Sequence, residues 1–538
     1  MAKIVLTCDD TLTSTYRNLP FLDMLACAPT ERFPGFIYRV LDSQLPHSDG
    51  VLEVAPYSLR KLEASVVDAG LRDVIVVHSG HVRKHIDGST TVVAVSTMDP
   101  LGLGPVSMMF TNCGRSTAYS KQRFLGLIDN LVRIRRSMGA GFKIVVGGSG
   151  SWQLAMSEKW REMGIDHLFV GEADHVAGEL FKSVEDGAED LSPLKGSASV
   201  DQIAAIIGPA YKGLAEVSRG CGRNCKYCDP SLRKIRAIPD AIVHREVEVN
   251  AAAGLTNAWL QSDDIFLYRL EDRRDFTPNS PEIVGLFEGI MGRPGVTFAN
   301  PTHGSISPAA ADPAMIGAIS EVVRASPSRW VGIQAGLETG SSSLMEKHME
   351  NKAKPFSCGE WPEIVVEGTY ILNSYYWFPA YTVMLGLPGE TAEDALDTAR
   401  LIITMEKFLK DNLASRSHFT ITPVAFVPLG LMRDGTPFDI REQLTEERFL
   451  VLYYSWRHLL KELASFAPSV GSSGNRGMAA FYLPGRLGLW TIMSLIRRWG
   501  MRMGYDPDRR LDPLDVNLRV PALPEMGPQI RSAIRSRG

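Results

Sequence analysis

Three cysteines, Cys221, Cys225 and Cys228, sit at C-x3-C-x2-C spacing in the stretch Ser218-Arg219-Gly220-Cys221-Gly222-Arg223-Asn224-Cys225-Lys226-Tyr227-Cys228. Thiolates are soft ligands that suit iron–sulfur clusters or zinc. A structural zinc site normally closes with four ligands, and this loop holds no fourth Cys or His. Three thiolates on a cubane cluster leave one iron open to a substrate or cofactor. A zinc knuckle, or thiols that bind nothing, is the alternative reading of the same residues.

The segment, down to the aromatic Tyr227 before the third cysteine, resembles the signature of the radical S-adenosylmethionine (SAM) superfamily. The resemblance implies a [4Fe-4S] cluster on Cys221, Cys225 and Cys228, with SAM on the open iron and Tyr227 beside it. It also implies reductive cleavage of SAM to a 5′-deoxyadenosyl radical, and so an external one-electron reductant.

The elements that must hold this loop follow from the flanking pattern. Strand-like runs near residues 214–217, 258–261, 296–299, 330–333, 380–385 and 419–425 alternate with helical patterns at 281–291, 315–323 and 392–408. Six βα units fit the partial (β/α)6 barrel of the radical SAM family, with chemistry at the carboxyl ends of the strands. The second strand ends in Gln261-Ser262-Asp263-Asp264. In the family this strand end holds the SAM amino group, and the carboxylates of Asp263 and Asp264 suit an ammonium; a solvated acidic turn is the plainer alternative. The fourth unit, Gly332-Ile333-Gln334-Ala335-Gly336-Leu337-Glu338, resembles the segment that contacts SAM, which makes Gln334 and Glu338 hydrogen-bonding candidates. His303, after the third strand, reads as a pocket-lining residue. Gly386-Leu387-Pro388-Gly389-Glu390-Thr391 reads as a structural turn into a helix, with Thr391 as cap and Glu390 favouring the helix N-terminus. Tyr375, Tyr376, Trp377 and Tyr381 read as core aromatics rather than cavity walls.

Residues 1–195 alternate strands (3–7, 73–78, 91–96, 143–146, 167–170) with helices (58–69, 122–138), the pattern of a doubly wound parallel sheet. Ligands of such sheets lie beyond the carboxyl ends of the strands. The glycine- and hydroxyl-rich loops 96–104, 147–152 and 171–174 fall there. This series resembles the cobalamin-binding domain that precedes the barrel in one radical SAM branch. The resemblance places the corrin over Ser96, Thr97, Met98, Asp99, Leu101 and Gly102, the nucleotide tail toward Gly147, Gly148 and Ser149, and Gly171 and Glu172 at the same edge. One departure stands out. The Asp-x-His-x-x-Gly loop that supplies a lower cobalt ligand in many cobalamin proteins is absent, and Asp174-His175-Val176-Ala177-Gly178 has the wrong spacing. His78, His81 and His85 read as loop histidines, so cobalamin is expected without a protein histidine on cobalt. The acidic stretch 185–190 reads as a solvated connector.

Composition bounds the rest. A chain of 538 residues predicts two to four domains. Apolar content of 45% is ordinary for a packed protein, and a net charge of −4 carries no nucleic-acid footprint. The sequence shows no leader pattern and no apolar run long enough to span a bilayer. Seven cysteines, an odd number, argue against a disulfide framework and for a reducing, cytoplasmic setting. Residues 444–466 and 487–503 read as helices. The second carries Arg497, Arg498 and Arg502 and is expected to pack at the barrel mouth, a membrane-surface role being the alternative. The basic tail 530–538 could dock a protein or fray.

The expected layout is α/β throughout: a Rossmann-like cobalamin-binding domain with connector (1–195), a partial radical SAM barrel (196–430) and a mostly helical region (431–538). The order resembles the cobalamin-dependent radical SAM methyltransferases. This implies a C-methyltransferase acting on an unactivated sp3 carbon through the 5′-deoxyadenosyl radical and methylcobalamin. The text around 96–104 and 262–268 is similar to archaeal methanogen members, one of which C-methylates a glutamine of methyl-coenzyme M reductase. A protein or peptide substrate of that kind is therefore expected. A related enzyme performing cyclisation or oxidation, and a non-enzymatic iron–sulfur protein, remain alternatives. A methylthiotransferase needs a second cysteine triad, and Cys8, Cys27, Cys113 and Cys358 are too scattered to form one.

Overall fold

The strands Ile4–Cys8, Val92–Ser96, Lys143–Gly147 and His167–Gly171 are short, nearly unbroken apolar runs. Such runs suit a parallel sheet covered on both faces. The computed structural model, which describes residues 2–18, 22–139, 141–187, 194–471 and 476–524, folds them that way. The tail 530–538 and residues 188–190 of the acidic connector lie outside the described residues.

Two compact units result. The first comprises Met1–Glu216, Ile238–Trp259 and Arg293–Thr297; the second comprises Val217–Ala237, Leu260–Gly292 and Phe298–Gly538.

The sheet of the first unit has the order Val74–Val76, Ile4–Cys8, Val92–Ser96, Lys143–Gly147, His167–Gly171, Leu194–Gly196, all parallel. Alternate residues feed opposite cores. Val5, Val93 and Val95 pack with Phe124, Leu131 and Phe142, while Ile4, Leu6, Val92 and Ala94 pack with Leu59, Val66 and Phe181. The period-two pleat produces this sorting. Helix Tyr57–Asp68 supplies Leu59 and Val66 to one core, and helix Tyr119–Met138 supplies Phe124 and Leu131 to the other. The second of these stops at Gly139, whose φ of +58° is the left-handed C-terminal cap that glycine adopts without strain. The chain leaves Ile4–Cys8 for the edge strand on one side and returns to Val92–Ser96 on the other. The topological switch point therefore lies between these two strands, and the crevice beyond their carboxyl ends is where such sheets bind ligands.

In the second unit, Val331–Glu338, Trp377–Leu385 and Thr420–Ala425 run parallel, with Gln334 opposite Ala380 and Thr382 opposite Thr422. Backbone bonds extend the succession toward the cysteine loop. Gln334 N donates to Thr302 O at 3.0 Å, Thr302 N to Leu260 O at 3.0 Å, and Val217 N to Gln261 O at 2.9 Å. The carboxyl ends of the strands thus stand side by side, and the cysteine loop leaves the first of them. Long helices cover the outer face, including Trp361–Ser374 and Ala392–Leu413. Thr391 caps the second through a reciprocal box with Asp394. The Glu390 carboxylate, just before that cap, accepts from Gly386 N at 3.1 Å and pairs with Arg448 at 2.6 Å. Residues 431–538 fall in the same unit as these strands. Helix Glu446–Gly471 is anchored by His458, which bonds Glu406 at 2.8 Å and Phe419 O at 2.9 Å and stacks on the Phe419 ring.

Candidate functional site

The cysteine loop is held from beneath by its own backbone. Cys221 N donates to Pro230 O at 3.1 Å, and the Ser231 hydroxyl reaches Cys225 O and Cys228 O at 2.8 and 2.7 Å. A short antiparallel pair, Ser218–Arg219 with Arg236–Ala237, closes its base. Gly220 has φ +80°, and a Cβ there would lie 2.7 Å from Lys234 O, so only glycine fits the turn. Gly430 presses on the loop from the other side: its Cβ would lie 2.6 Å from Lys226 O.

Two buried cations brace the loop. Arg223 is 2% exposed and spends all of its nitrogens within the protein. Its Nε meets Asp264 Oδ2 at 3.2 Å, one Nη donates to Asn351 O at 2.6 Å, the other to Ser305 Oγ at 2.9 Å, and the plane lies over Phe276. Lys352 Nζ sits 2.8 Å from Glu338 Oε1 and 3.5 Å from the Tyr227 hydroxyl. Burial pushes all three thiols up, Cys225 to about 11, while Lys352 and Arg223 pull Cys225 the other way. Burial also works against charge on Lys352, but Glu338 and the nearby thiols outweigh it and hold its pKa above the ordinary value. Among the described residues no three His, Cys, Asp or Glu side chains converge as they would around a single ion.

The residues expected to hold SAM divide into two groups. Asp264 is 2% exposed, and its carboxylate is filled by Arg223 Nε, Ser305 N, the Ser305 hydroxyl and Phe266 N. Glu338 is likewise engaged by Lys352 and, at 3.4 Å, by the Thr382 hydroxyl. Burial and the neighbouring Glu338 carboxylate hold the Tyr227 hydroxyl far above its ordinary pKa. These three form the wall behind the cysteines. Asp263 is only half-buried and has Oδ2 on Gly220 N at 2.7 Å. Gln334, within strand Val331–Glu338, and His303, just past strand Phe298–Pro301, are exposed and joined by a parallel bridge. Asp263, Gln334 and His303 therefore make the open lip of the site. Desolvation in the cleft lowers the His303 pKa, while Asp263, Gln334, the Ser262 backbone and Asp264 all work the other way. Tyr375, Trp377 and Tyr381 lie in the core, bonded to Pro524 O, Ser320 Oγ and Thr369 Oγ1 respectively.

The sequence reading missed Arg223, Lys352, Ser305 and Asn351. Arg223 lies inside the cysteine motif itself and was legible there as a charge. The other three come from distant segments that carry no motif.

In the first unit the candidate loops crest the sheet. Ser96 Oγ bonds Ser58 Oγ at 2.9 Å, and the Thr97 hydroxyl is buried with no partner among the described residues. Met98 is 58% exposed. Asp99 turns inward, taking Gly104 N at 2.9 Å and Gln153 Nε2 at 2.7 Å, so it orders its loop. Leu101 N is held by Gln153 Oε1 at 2.8 Å, and Gly102 packs against Ala118. The next loop lies directly on this one: a Cβ on Gly148 would be 2.5 Å from Thr97 O, and one on Gly150 2.2 Å from Met98 O. Gly147 closes its strand opposite Ser96, and Ser149 is exposed at the crest. Gly171 is exposed too, while Glu172 accepts from Ala198 N at 3.0 Å.

Beside them at the switch point, Asp10 is bound by Arg123. Among the described residues Asp9 takes side-chain bonds from Thr11 alone, and burial raises its pKa to about 6. His78 has both ring nitrogens engaged, by Gly80 N at 3.0 Å and Gln44 Oε1 at 2.9 Å, and His85 bonds Asp49 O at 2.8 Å. His81 packs its ring against His47 with centroids 4.7 Å apart.

No family model and no curated protein matches the chain. Solved structures do. The structure of the radical S-adenosylmethionine methyltransferase TsrM from Kitasatospora setae with cobalamin and a [4Fe-4S] cluster bound is 14% identical, with a TM-score of 0.50 over 80% of this chain and 77% of that one. The same methyltransferase with tryptophan substrate and the SAM analogue aza-SAM is 13% identical, with a TM-score of 0.50 over 80% of this chain and 75% of that one. The chain shares their fold.

Proposed function

We propose that this protein is a cobalamin-dependent radical SAM enzyme that methylates an unactivated sp3 carbon. The observation that carries the reading is the cysteine loop: three clustered thiols, no fourth ligand, and two buried cations behind them. A structural zinc ion normally closes with four ligands, and this loop supplies three. Cys221, Cys225 and Cys228 would hold the [4Fe-4S] cluster, and Asp263, Gln334 and His303 would line the SAM side. When bound, the cluster, SAM and cobalamin supply one-electron chemistry for hydrogen abstraction and a methyl group for transfer to carbon.

The protein's part is to hold charge and position. Arg223 and Lys352 offset the negative charge of three thiolates in a buried loop. Asp263, with one oxygen fixed by Gly220 N, presents the other to an ammonium. In this reading Asp264, Glu338 and Tyr227 keep the wall rigid and do not bind SAM directly. In the first unit, the backbone of Gly147, Gly148 and Ser149, the unpartnered Thr97 hydroxyl and the exposed Met98 suit a large, flat, polar-edged ligand. With both His78 nitrogens engaged, cobalt would carry no ligand from that residue. All seven cysteines are unpaired, which suits a reducing cytoplasm. The finer substrate reading is the Cα of a glutamine in methyl-coenzyme M reductase, supported by the text at 96–104 and 262–268.

Anaerobic reconstitution with iron, sulfide, cobalamin, SAM and a one-electron reductant tests the proposal. Both 5′-deoxyadenosine and S-adenosylhomocysteine are expected. Deoxyadenosine alone would replace methyl transfer by cyclisation or oxidation, and neither product would overturn the enzyme reading. A glutamine peptide from methyl-coenzyme M reductase that gains no methylene mass would remove that substrate.

A further inference from the structure

Helix Arg476–Arg502 presents a surface that the proposed chemistry does not use. Its sequence contains five arginines, at 476, 486, 497, 498 and 502, and no Asp or Glu. One side of its second half is packed. Trp499 meets the Phe449 ring at 5.9 Å, and Gly500 lies so close that a Cβ would sit 2.1 Å from that ring. Arg497, whose guanidinium reaches Met501 Sδ at 3.6 Å toward the other side, is neutralised by Asp508, and Tyr505, just beyond the helix, bonds Leu444 O at 2.6 Å.

The other side is open and apolar. Trp490 is 69% exposed, Leu495 56% and Met501 54%, with Ile492 and Met503 also exposed. Arg498 and Arg502 stand one turn apart among them, both exposed, and neither forms an ion pair among the described residues. Single exposed apolar side chains are unremarkable, but five large ones within fourteen residues mark an interaction site. No helix among the described residues is long and apolar enough to cross a membrane.

We propose that this face docks the protein on an anionic lipid bilayer, lying in the plane of the surface. Trp490, Ile492, Leu495 and Met501 would enter the boundary between headgroups and acyl chains, and Arg498 and Arg502 would take lipid phosphate. Tryptophan favours that boundary because it has an apolar body and a polar edge. A bilayer is favoured over an acidic protein because the cations and apolar groups interleave along an open helix face, not a groove, and a bilayer needs no complementary pocket. The sequence 530–538, outside the described residues, adds three arginines and no acid.

Co-sedimentation of the full reconstituted chain with vesicles tests this. Vesicles of equal parts phosphatidylglycerol and phosphatidylcholine should retain the protein at least tenfold better than phosphatidylcholine alone, about the effect of two arginines at a charged surface. The advantage should fade at about 0.5 M salt. Arg498→Glu with Arg502→Glu, and separately Trp490→Ser with Leu495→Ser, should each weaken retention at least about tenfold, with iron content and far-UV circular dichroism unchanged. Equal retention on both vesicle types, retention on neither, or wild-type retention by the charge-reversed protein would each overturn the proposal. Retention on neither would turn attention to an acidic protein partner.

Discussion

The two candidate sites are built from different materials. In the first unit the crest of the sheet is mostly backbone: glycines pressed onto neighbouring loops, an unpartnered hydroxyl, an exposed methionine. Its carboxylates are unevenly compensated, because Arg123 serves Asp10 and leaves Asp9 with hydroxyl and amide donors only. In the second unit the cysteine loop is framed by ionised side chains: its own Arg223 pairs with Asp264, and Lys352 from a distant segment pairs with Glu338. The same contrast shows in the pKa values. Asp9 is pushed up to about 6 by burial, whereas Glu406, half-buried on helix Ala392–Leu413 of the second unit, is drawn down to about 2 against desolvation by His458, Lys461 and Arg457. A large neutral-edged ligand needs shape, which packed backbone supplies. Buried thiolates need countercharge, which only side chains supply.

The sharpest way to break this comparison is Cys225→Ala. If Cys225 holds the proposed cluster, its loss should exceed the roughly 10–100-fold effects of supporting residues, so bound iron should fall close to zero and SAM cleavage with it. Iron analysis and 5′-deoxyadenosine release check both, and wild-type iron content in that variant would refute a site framed for thiolates. Next in size is the Arg223–Asp264 pair, whose side chains are 2% and 3% exposed. Arg223→Met or Asp264→Asn alone should destabilise the second unit by about 3–5 kcal/mol, because each leaves a buried group without its partner. Anaerobic urea unfolding measures this. The double variant Arg223→Met with Asp264→Leu should recover a good part of the loss if the pair acts as a brace.

A third measurement addresses the uncompensated carboxylate. The folded pKa of Asp9, about 6, lies above its unfolded value of 3.8, so the folded state favours the protonated form. Stability should therefore fall as pH rises from about 4 to about 6 and stay level above, by about 2–3 kcal/mol in total. Asp9→Asn should remove that fall while keeping an oxygen for Thr11, as melts across this range would show. Glu406 has the opposite sign. Its stabilising contribution is complete above its unfolded value of 4.5 and disappears as pH falls through about 2.

The smallest expected effects separate the packed glycines from ordinary ones. Gly150→Ala should cost about 1–3 kcal/mol, because the new methyl lies 2.2 Å from Met98 O. Gly126, inside helix Tyr119–Met138 with nothing within 4 Å of its Cβ position, should gain about 0.5–1 kcal/mol on replacement by alanine. Equal effects at the two positions would mean that the crest is not closely packed.

Much of this was legible in the chain. The apolar runs gave the parallel strands to within a few residues, since a strand buried on both faces must be apolar along its length. The cysteine spacing placed a loop of three thiols after a strand without help from the fold, because those cysteines are neighbours in sequence. Thr391 as a cap was legible for the same local reason. What was not legible came from long range. The text offers Asp263 and Asp264 as equals, and Gln334 and Glu338 as equals. Only the folded chain brings Arg223 and Ser305 onto Asp264 and Lys352 onto Glu338, closing one member of each pair and leaving the other open.

Local chemistry, which depends on residues a few positions apart, was thus determined by the sequence itself: strand, helix, cap and thiol cluster. Which carboxylate stays free, which is consumed, and which cation stands behind the thiols was decided by tertiary structure. Groups more than a hundred positions apart, such as Lys352 and the Cys225 thiol, meet only when the strands align, and electrostatic compensation depends on that distance in space.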